Sequence, residues 1–124
     1  NDIQIPVSLF LSDAAPLESL VKYLKDEVKI SIKEIAVRLN RNIQTIWTTY
    51  RNSKKKNITW NYKEPFIPLR IFSKETLSVM ESLVYFLHSK GLRFCQISEI
   101  LNRDDREIWL FYDRCKRKTG GKLK

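Results

Sequence analysis

Leu39-Asn40-Arg41-Asn42-Ile43-Gln44-Thr45-Ile46-Trp47-Thr48-Thr49-Tyr50 returns 62 residues later as Leu101-Asn102-Arg103-Asp104-Asp105-Arg106-Glu107-Ile108-Trp109-Leu110-Phe111-Tyr112. Both stretches keep Leu-Asn-Arg, Ile-Trp and the closing Tyr at the same spacing. The repeat extends outward on both sides. Ile5-Pro6-Val7-Ser8-Leu9-Phe10 matches Ile67-Pro68-Leu69-Arg70-Ile71-Phe72, and Leu17-Glu18-Ser19-Leu20-Val21-Lys22-Tyr23-Leu24 matches Met80-Glu81-Ser82-Leu83-Val84-Tyr85-Phe86-Leu87. The offset is 62 at both ends and 63 through the second of these segments, so single-residue length differences flank it. Self-similarity over a fixed period marks a duplicated structural unit. Copy one is expected over residues 1–57, a joint with Trp60, Tyr62 and Pro65 over 58–66, and copy two with a basic tail over 67–124.

Each copy reads as a short extended lead-in followed by three helices, which makes the chain all-α. Leu17, Leu20, Val21 and Leu24 recur at i, i+3, i+4, i+7, one apolar helix face. Pro16 suits a first-turn position. Ser31-x-x-Glu34 predicts a capping box, with Ile35, Ala36 and Leu39 facing inward behind it. Asn40 tolerates the left-handed conformation that ends a helix. Asn42 can cap a third helix that buries Ile46 and Tyr50. Copy two repeats this with Met80, Leu83, Val84 and Leu87, then Ile97, Ser98 and Leu101, then Ile108 and Tyr112. Its signals are Gly91 as a helix stop, Asn102 at the turn, and Asp104-x-x-Glu107 as a capping box. The two short helices and the tight turn between them form a helix-turn-helix. The 5–10 and 67–72 segments are expected as straps over the helices, with pairing between two strands as the alternative.

Ser31-Ile32-Lys33-Glu34-Ile35-Ala36-Val37-Arg38-Leu39-Asn40, then Thr45-Ile46, then Lys54-Lys55-Lys56 resembles the region 4 helix-turn-helix of bacterial sigma factors and related regulators. The likeness covers residues 17–56 and, more weakly, 80–118. It implies a duplex DNA-binding module. The chain departs from the pattern at the turn glycine, here Asn40 or Asn102, at the following apolar residue, here Arg41 or Arg103, and at an outer-face basic residue, here Trp47 or Trp109. No segment matching the promoter-melting region 2 is present, so the resemblance extends to the module alone.

A third helix of this kind enters the major groove with its N-terminal residues at base edges. In copy one the outward set is Ile43, Gln44, Thr45, Trp47, Thr48 and Arg51. Gln44 can bond adenine, and Thr45 or Thr48 a base or phosphate. Arg41, Arg51, Lys54, Lys55 and Lys56 suit the phosphate backbone, and no acid lies between Arg41 and Lys56. In copy two the outward set is Asp105, Arg106, Glu107, Trp109, Leu110 and Asp113, whose acids repel phosphate. Arg103, Arg106, Arg114, Lys116, Arg117 and Lys118 are its candidate DNA contacts. Trp109, Leu110 and Phe111 exceed what one core stripe absorbs and suggest a homo-oligomer or RNA polymerase contact. The tryptophans read either as DNA contacts or, by preference, as packing against the lead-in segments or between copies.

The charge agrees with this division. The chain carries 23 Lys+Arg and 14 Asp+Glu, a net +9. Residues 51–56 hold +4 and 114–124 hold +6, so the remainder sums to −1. A strong positive charge attracts a polyanion but does not specify a fold. At 43% hydrophobic and 11% aromatic the chain can bury a core and is no disordered tail. Three Gly and four Pro are few for a turn-rich sandwich or barrel. No apolar run is long enough to span a membrane, and Asn1-Asp2-Ile3-Gln4 does not open a secretion signal. Cys95 and Cys115 lack neighbours at metal-ligand spacing and read as one small buried hydrophobe and one thiol on a basic helix. His88 stands alone, without a catalytic motif around it. No metal, cofactor or enzymatic chemistry is expected.

The reading is therefore sequence-dependent double-stranded DNA binding by a transcriptional regulator or genome-associated factor. Its expected location is the cytoplasm, at the nucleoid, or the nuclear equivalent. A protein-interaction or assembly module acting through copy two is the alternative. RNA binding through the basic tails is a third, without the aromatic platform that single strands require.

Overall fold

The structure, a computed structural model, describes residues 3–11, 14–59, 65–74 and 76–120. The described residues are mostly helical, with six helices and one two-stranded sheet. Strands β1 (Gln4–Pro6) and β2 (Phe66–Pro68) each lead into a 3-10 turn, Val7–Leu11 and Leu69–Phe72. The helices are α1 (Pro16–Lys22), continued by a π-helical segment over Tyr23–Val28, α2 (Ile32–Leu39), α3 (Ile43–Ser53), α4 (Val79–Ser89), α5 (Phe94–Leu101) and α6 (Asp105–Thr119). None is long and apolar enough to cross a membrane among the described residues.

The chain divides into two compact units, Asn1–Glu75 and Thr76–Lys124. This division falls later than the 58–66 joint expected from the repeat. The cause is that the lead-in of copy two belongs to the first unit. β1 and β2 run antiparallel with Ile5 opposite Ile67, so repeat-equivalent residues face each other. The flanking bonds obey the same symmetry: Val7 N–H donates to the Pro65 carbonyl at 3.1 Å, and Leu69 N–H to the Ile3 carbonyl at 2.8 Å. Of the two arrangements anticipated for these segments, strand pairing is the one observed. Ile5, Val7, Leu9, Phe10, Ile67, Leu69 and Phe72 are all buried, and the Phe10 and Phe72 rings lie 5.8 Å apart. Burial of this many apolar side chains, at roughly 25 cal/mol per Å², explains why two three-residue strands persist where an isolated pair would not. Trp60 and Tyr62 of the joint lie outside the described residues.

In the first unit α1 packs mainly on α3, and α2 on α3 and on the Leu69–Phe72 turn. Leu20, Val21, Leu24, Ile35, Leu39 and Ile46 are wholly buried, and Ala36 and Tyr50 nearly so. In the second unit α4 packs mainly on α6, and α5 on both. Leu83, Val84, Ile97, Leu101 and Ile108 fill the equivalent positions. The offset of 63 through the first helix has a structural basis. Copy one has one residue more than copy two between Leu24 and the start of α2. The π-helical turn absorbs it: the Lys29 N–H reaches back five residues to the Leu24 carbonyl. Lys29 then takes the left-handed conformation, φ 66°, where copy two has Gly91 at φ 96°. For a side chain with Cβ this costs about 1–2 kcal/mol, so copy one carries strain that copy two avoids.

The turns follow the sequence signals closely. Asn40 and Asn102 end α2 and α5 at φ 54° and 53°. Asn42 Oδ1 accepts from Gln44 N–H at 2.7 Å, and Asp104 Oδ1 from Arg106 N–H at 2.7 Å. Ser31 Oγ accepts from Glu34 N–H at 3.1 Å. The expected boxes at Ser31 and Asp104 are not completed: Ser31 makes only its own half, and Asp104 caps the N2 amide in place of the N3 amide a box requires. Glu34 turns to Arg38 at 2.8 Å, and Glu107 faces Arg103 at 3.6 Å. Both are i,i+4 ion pairs, which compete with the reach back to the cap. A full capping box occurs instead at α4, where Ser78 and Glu81 exchange both bonds at 3.0 and 3.2 Å.

The cysteine reading is reversed in one respect. Cys115, on the basic helix α6, is itself the buried thiol, and Cys95 is exposed. Burial, with the Glu81 carboxylate adding to it, pushes the Cys115 thiol up to about 11.

Candidate nucleic-acid interface

Helix α3 is held to the first helix by a polar pin. The Tyr50 hydroxyl donates to Asp26 at 2.7 Å, and Lys22 pairs with the same carboxylate at 2.9 Å. Burial works to raise the Asp26 pKa, yet the bonds from Tyr50 and Lys22 prevail and hold it below its ordinary 3.8. Tyr50 moves the other way, raised by its bond to Asp26 and then by burial. A lowered carboxylate stabilises the fold fully above its unfolded value and loses that contribution as pH falls through the folded value. Tyr50→Phe should therefore cost roughly 1–2 kcal/mol near neutral pH. In denaturation midpoints across pH, the wild-type advantage over Tyr50→Phe should shrink as pH drops below about 4.

With Ile46 and Tyr50 turned inward, all six residues expected outward on α3 are exposed: Ile43, Gln44, Thr45, Trp47, Thr48 and Arg51. The side chains of Gln44, Thr45 and Thr48 have no bonding partner among the described residues, which leaves their polar groups available. The expected packing of Trp47 against the lead-in segments or between copies would bury it, but much of its ring is open to solvent. It is 46% exposed, with its ring 6.4 Å from Tyr50 and the Arg51 guanidinium 5.9 Å above it. Trp109 is likewise 49% exposed, and Leu110 is exposed beside it.

The basic residues separate into two groups. Some are bound within the fold. Arg41 Nη1 donates to the Leu39 carbonyl at 2.7 Å and the Phe72 carbonyl at 3.1 Å, which ties the α2–α3 turn to the second lead-in segment. Lys56 pairs with Glu18 at 2.7 Å, and Lys118 pairs with Glu81 at 2.8 Å. These two pairs are repeat-equivalent, each joining the start of the copy's first helix to the region after or at the end of its third. Arg103 faces Glu107, and Arg117 pairs with Asp113 at 2.7 Å. The Arg103 carbonyl also accepts from Ser98 Oγ.

The other expected contact residues are exposed and form no salt bridge among the described residues: Arg51, Lys54 and Lys55 in copy one, where Lys54 acts on Asp26 only at longer range, and Arg106, Arg114 and Lys116 in copy two. Lys54 and Lys116 again correspond, lying 4.8 Å from the Tyr50 ring centroid and 5.6 Å from that of Tyr112. Cation–π contacts of this sort orient an exposed cation without neutralising it.

Two shallow clefts adjoin the N-terminus of α3. One, about 690 Å³, is lined by Lys33, Ala36, Val37, Asn40, Arg41, Asn42 and Ile43. The second, about 230 Å³, is lined by Ile32, Ile43, Gln44 and Trp47. Lys33, Ile32 and Val37 were not among the expected site residues. Their signal was present: Lys33 and Val37 stand four apart, opposite the buried Ile35–Leu39 stripe of α2.

His88 is structural in its surroundings. Its Nδ1 lies 2.9 Å from the Leu92 carbonyl, and its ring stacks on Phe94 and meets the edge of Tyr112. Among the described residues no cluster of His, Cys, Asp or Glu could hold a metal ion. The chain matches no protein-family model, no curated protein and no solved structure.

Proposed function

We propose that the chain is a duplicated helix-turn-helix protein that binds double-stranded DNA, with α3 of copy one as the recognition helix. The observation that carries this reading is the α3 surface itself. Its six outward residues are exposed, four of them (Gln44, Thr45, Thr48 and Arg51) with hydrogen-bonding side chains, no acid lies between Arg41 and Lys56, and Arg51, Lys54 and Lys55 at its C-terminal end form no salt bridge among the described residues. The helix, left-handed Asn and helix sequence, repeated in α2–α3 and α5–α6, supports the motif assignment. The protein acts by occupying duplex, without chemistry of its own, as a transcriptional regulator or genome-associated factor at the nucleoid or its nuclear counterpart.

Fluorescence anisotropy with random-sequence duplex over a salt series tests this. Each contacted phosphate contributes roughly 0.9 to the slope of log K against log salt. Arg51, Lys54 and Lys55 acting alone give a slope near −2.7, whereas joint engagement of Arg106, Arg114 and Lys116 brings it to about −5.4. Absent binding, or a flat series, overturns the reading.

A second reading rests on copy two. Trp109 and Leu110 are exposed side by side on a helix whose acids Asp105, Glu107 and Asp113 disfavour phosphate. This surface suits assembly with another chain, a second copy or an RNA polymerase. Leu110→Asp should abolish such association and leave duplex binding by copy one intact.

A further inference from the structure

We infer that the cleft beside Trp47 receives the C5-methyl group of thymine, so that copy one selects A·T pairs; this rests on the duplex-binding reading above. The cleft is apolar and lined by Ile32, Ile43, Gln44 and Trp47. Ile43 and Trp47 are each about half exposed, on the same helix surface as Gln44, Thr48 and Arg51. Scattered exposed apolar residues are ordinary on protein surfaces. Here they converge on one depression at the N-terminal end of α3, where a recognition helix meets base edges.

The surrounding charge selects the occupant. Arg51 lies over the Trp47 ring, Lys54 and Lys55 follow, and the stretch from Arg41 to Lys56 holds no acid. A polyanion with an apolar group at reading depth fits this combination, whereas an apolar protein surface gains nothing from the cations. On the major-groove edge of DNA, the thymine methyl is the one apolar group of the four standard bases. The same A·T pair offers adenine N6 and N7, which a glutamine amide bonds in bidentate fashion. Gln44 and the cleft are adjacent, so one base pair can satisfy both.

Uracil provides the test, because replacing thymine by uracil removes the methyl and keeps the duplex charge and every base-edge hydrogen-bonding group. Alternating d(AT) and d(AU) duplexes of equal length are titrated against the full chain at one salt concentration. Each seated methyl is expected to strengthen binding about fourfold, the equivalent of roughly 0.8 kcal/mol. Trp47→Ala and, separately, Ile43→Ala should bring the ratio towards one, each variant's own affinity for d(AU) serving as its reference. Equal binding of both duplexes by the wild-type chain overturns the inference and leaves the duplex reading standing. A ratio that survives in both variants assigns the preference to duplex shape and overturns the cleft. Binding of neither duplex removes both readings together.

Discussion

Replacing Arg51, Lys54 and Lys55 together by Ala is expected to weaken random-duplex binding by roughly two orders of magnitude at about 0.15 M salt, and to lower the salt slope by roughly 2.7. The size follows from counterion release. Three lost phosphate contacts remove three increments of about 0.9 in slope, and each increment is worth close to tenfold at low salt. The variant should fold, because all three side chains are exposed: Arg51 and Lys54 lie over the Trp47 and Tyr50 rings, and Lys54 adds a Coulombic attraction to Asp26 that Lys22 and Tyr50 also supply. Lys56→Ala is the control within the same basic run. Its ammonium pairs with Glu18, so its removal should register in stability, by about 1 kcal/mol or less, more than in slope. Changing Lys54, Lys55 and Lys56 as one block would mix the two effects. Anisotropy and a denaturation curve on each variant separate them. If Lys56→Ala lowers the slope as much as any of the other three, the distinction between bound and available cations fails.

That distinction also marks where the sequence stopped being legible. Signals within one turn of a helix read correctly: Pro16 opening α1, Asn42 and Asp104 as caps, Asn40 and Asn102 in the left-handed conformation, and Ile46 with Tyr50 turned inward. Each of these is a local contest between backbone and side chain, decided over three or four residues. The outward face of α3 was legible for the same reason, since helical periodicity fixes it once the inward pair is known.

What failed was non-local. Glu18 and Lys56 are 38 positions apart, and Glu81 and Lys118 are 37 apart. A lysine in a basic run carries no mark that a carboxylate on another helix will claim it. Arg41 is a sharper case. Its position beside the turn suggests phosphate, yet the Phe72 carbonyl it reaches belongs to the other copy's lead-in segment. The strand register had a trace in the repeat, because identical short segments can pair about a two-fold. Nothing local placed the second lead-in segment with the first unit.

Glu81→Ala should be the most destabilising of the polar substitutions, by roughly 2–4 kcal/mol. Its side chain is only 5% exposed, and one oxygen, Oε1, accepts from both the Ser78 N–H and the Lys118 ammonium. Loss of the capping interaction costs about 1 kcal/mol. Loss of a hydrogen bond to a charged group costs about 1.5–3 kcal/mol, taken at the low end because Lys118 is 43% exposed. The hole left in a closely packed region adds to this. Glu18→Ala is the matched comparison. Glu18 is more exposed, at 14%, and the residue at its cap is Ala15, which has no side-chain acceptor, so a cost near 1 kcal/mol is expected. Double-mutant cycles in chemical denaturation measure the two pairs directly. A coupling energy for Glu81–Lys118 at least about twice that for Glu18–Lys56 is the expected result. Equal couplings would mean that burial of the carboxylate does not set the strength of these ties. The cycle also bears on function. A Lys118 held by a buried carboxylate is costly to withdraw for a phosphate, so Lys118→Met should lower stability and leave the salt slope of duplex binding unchanged.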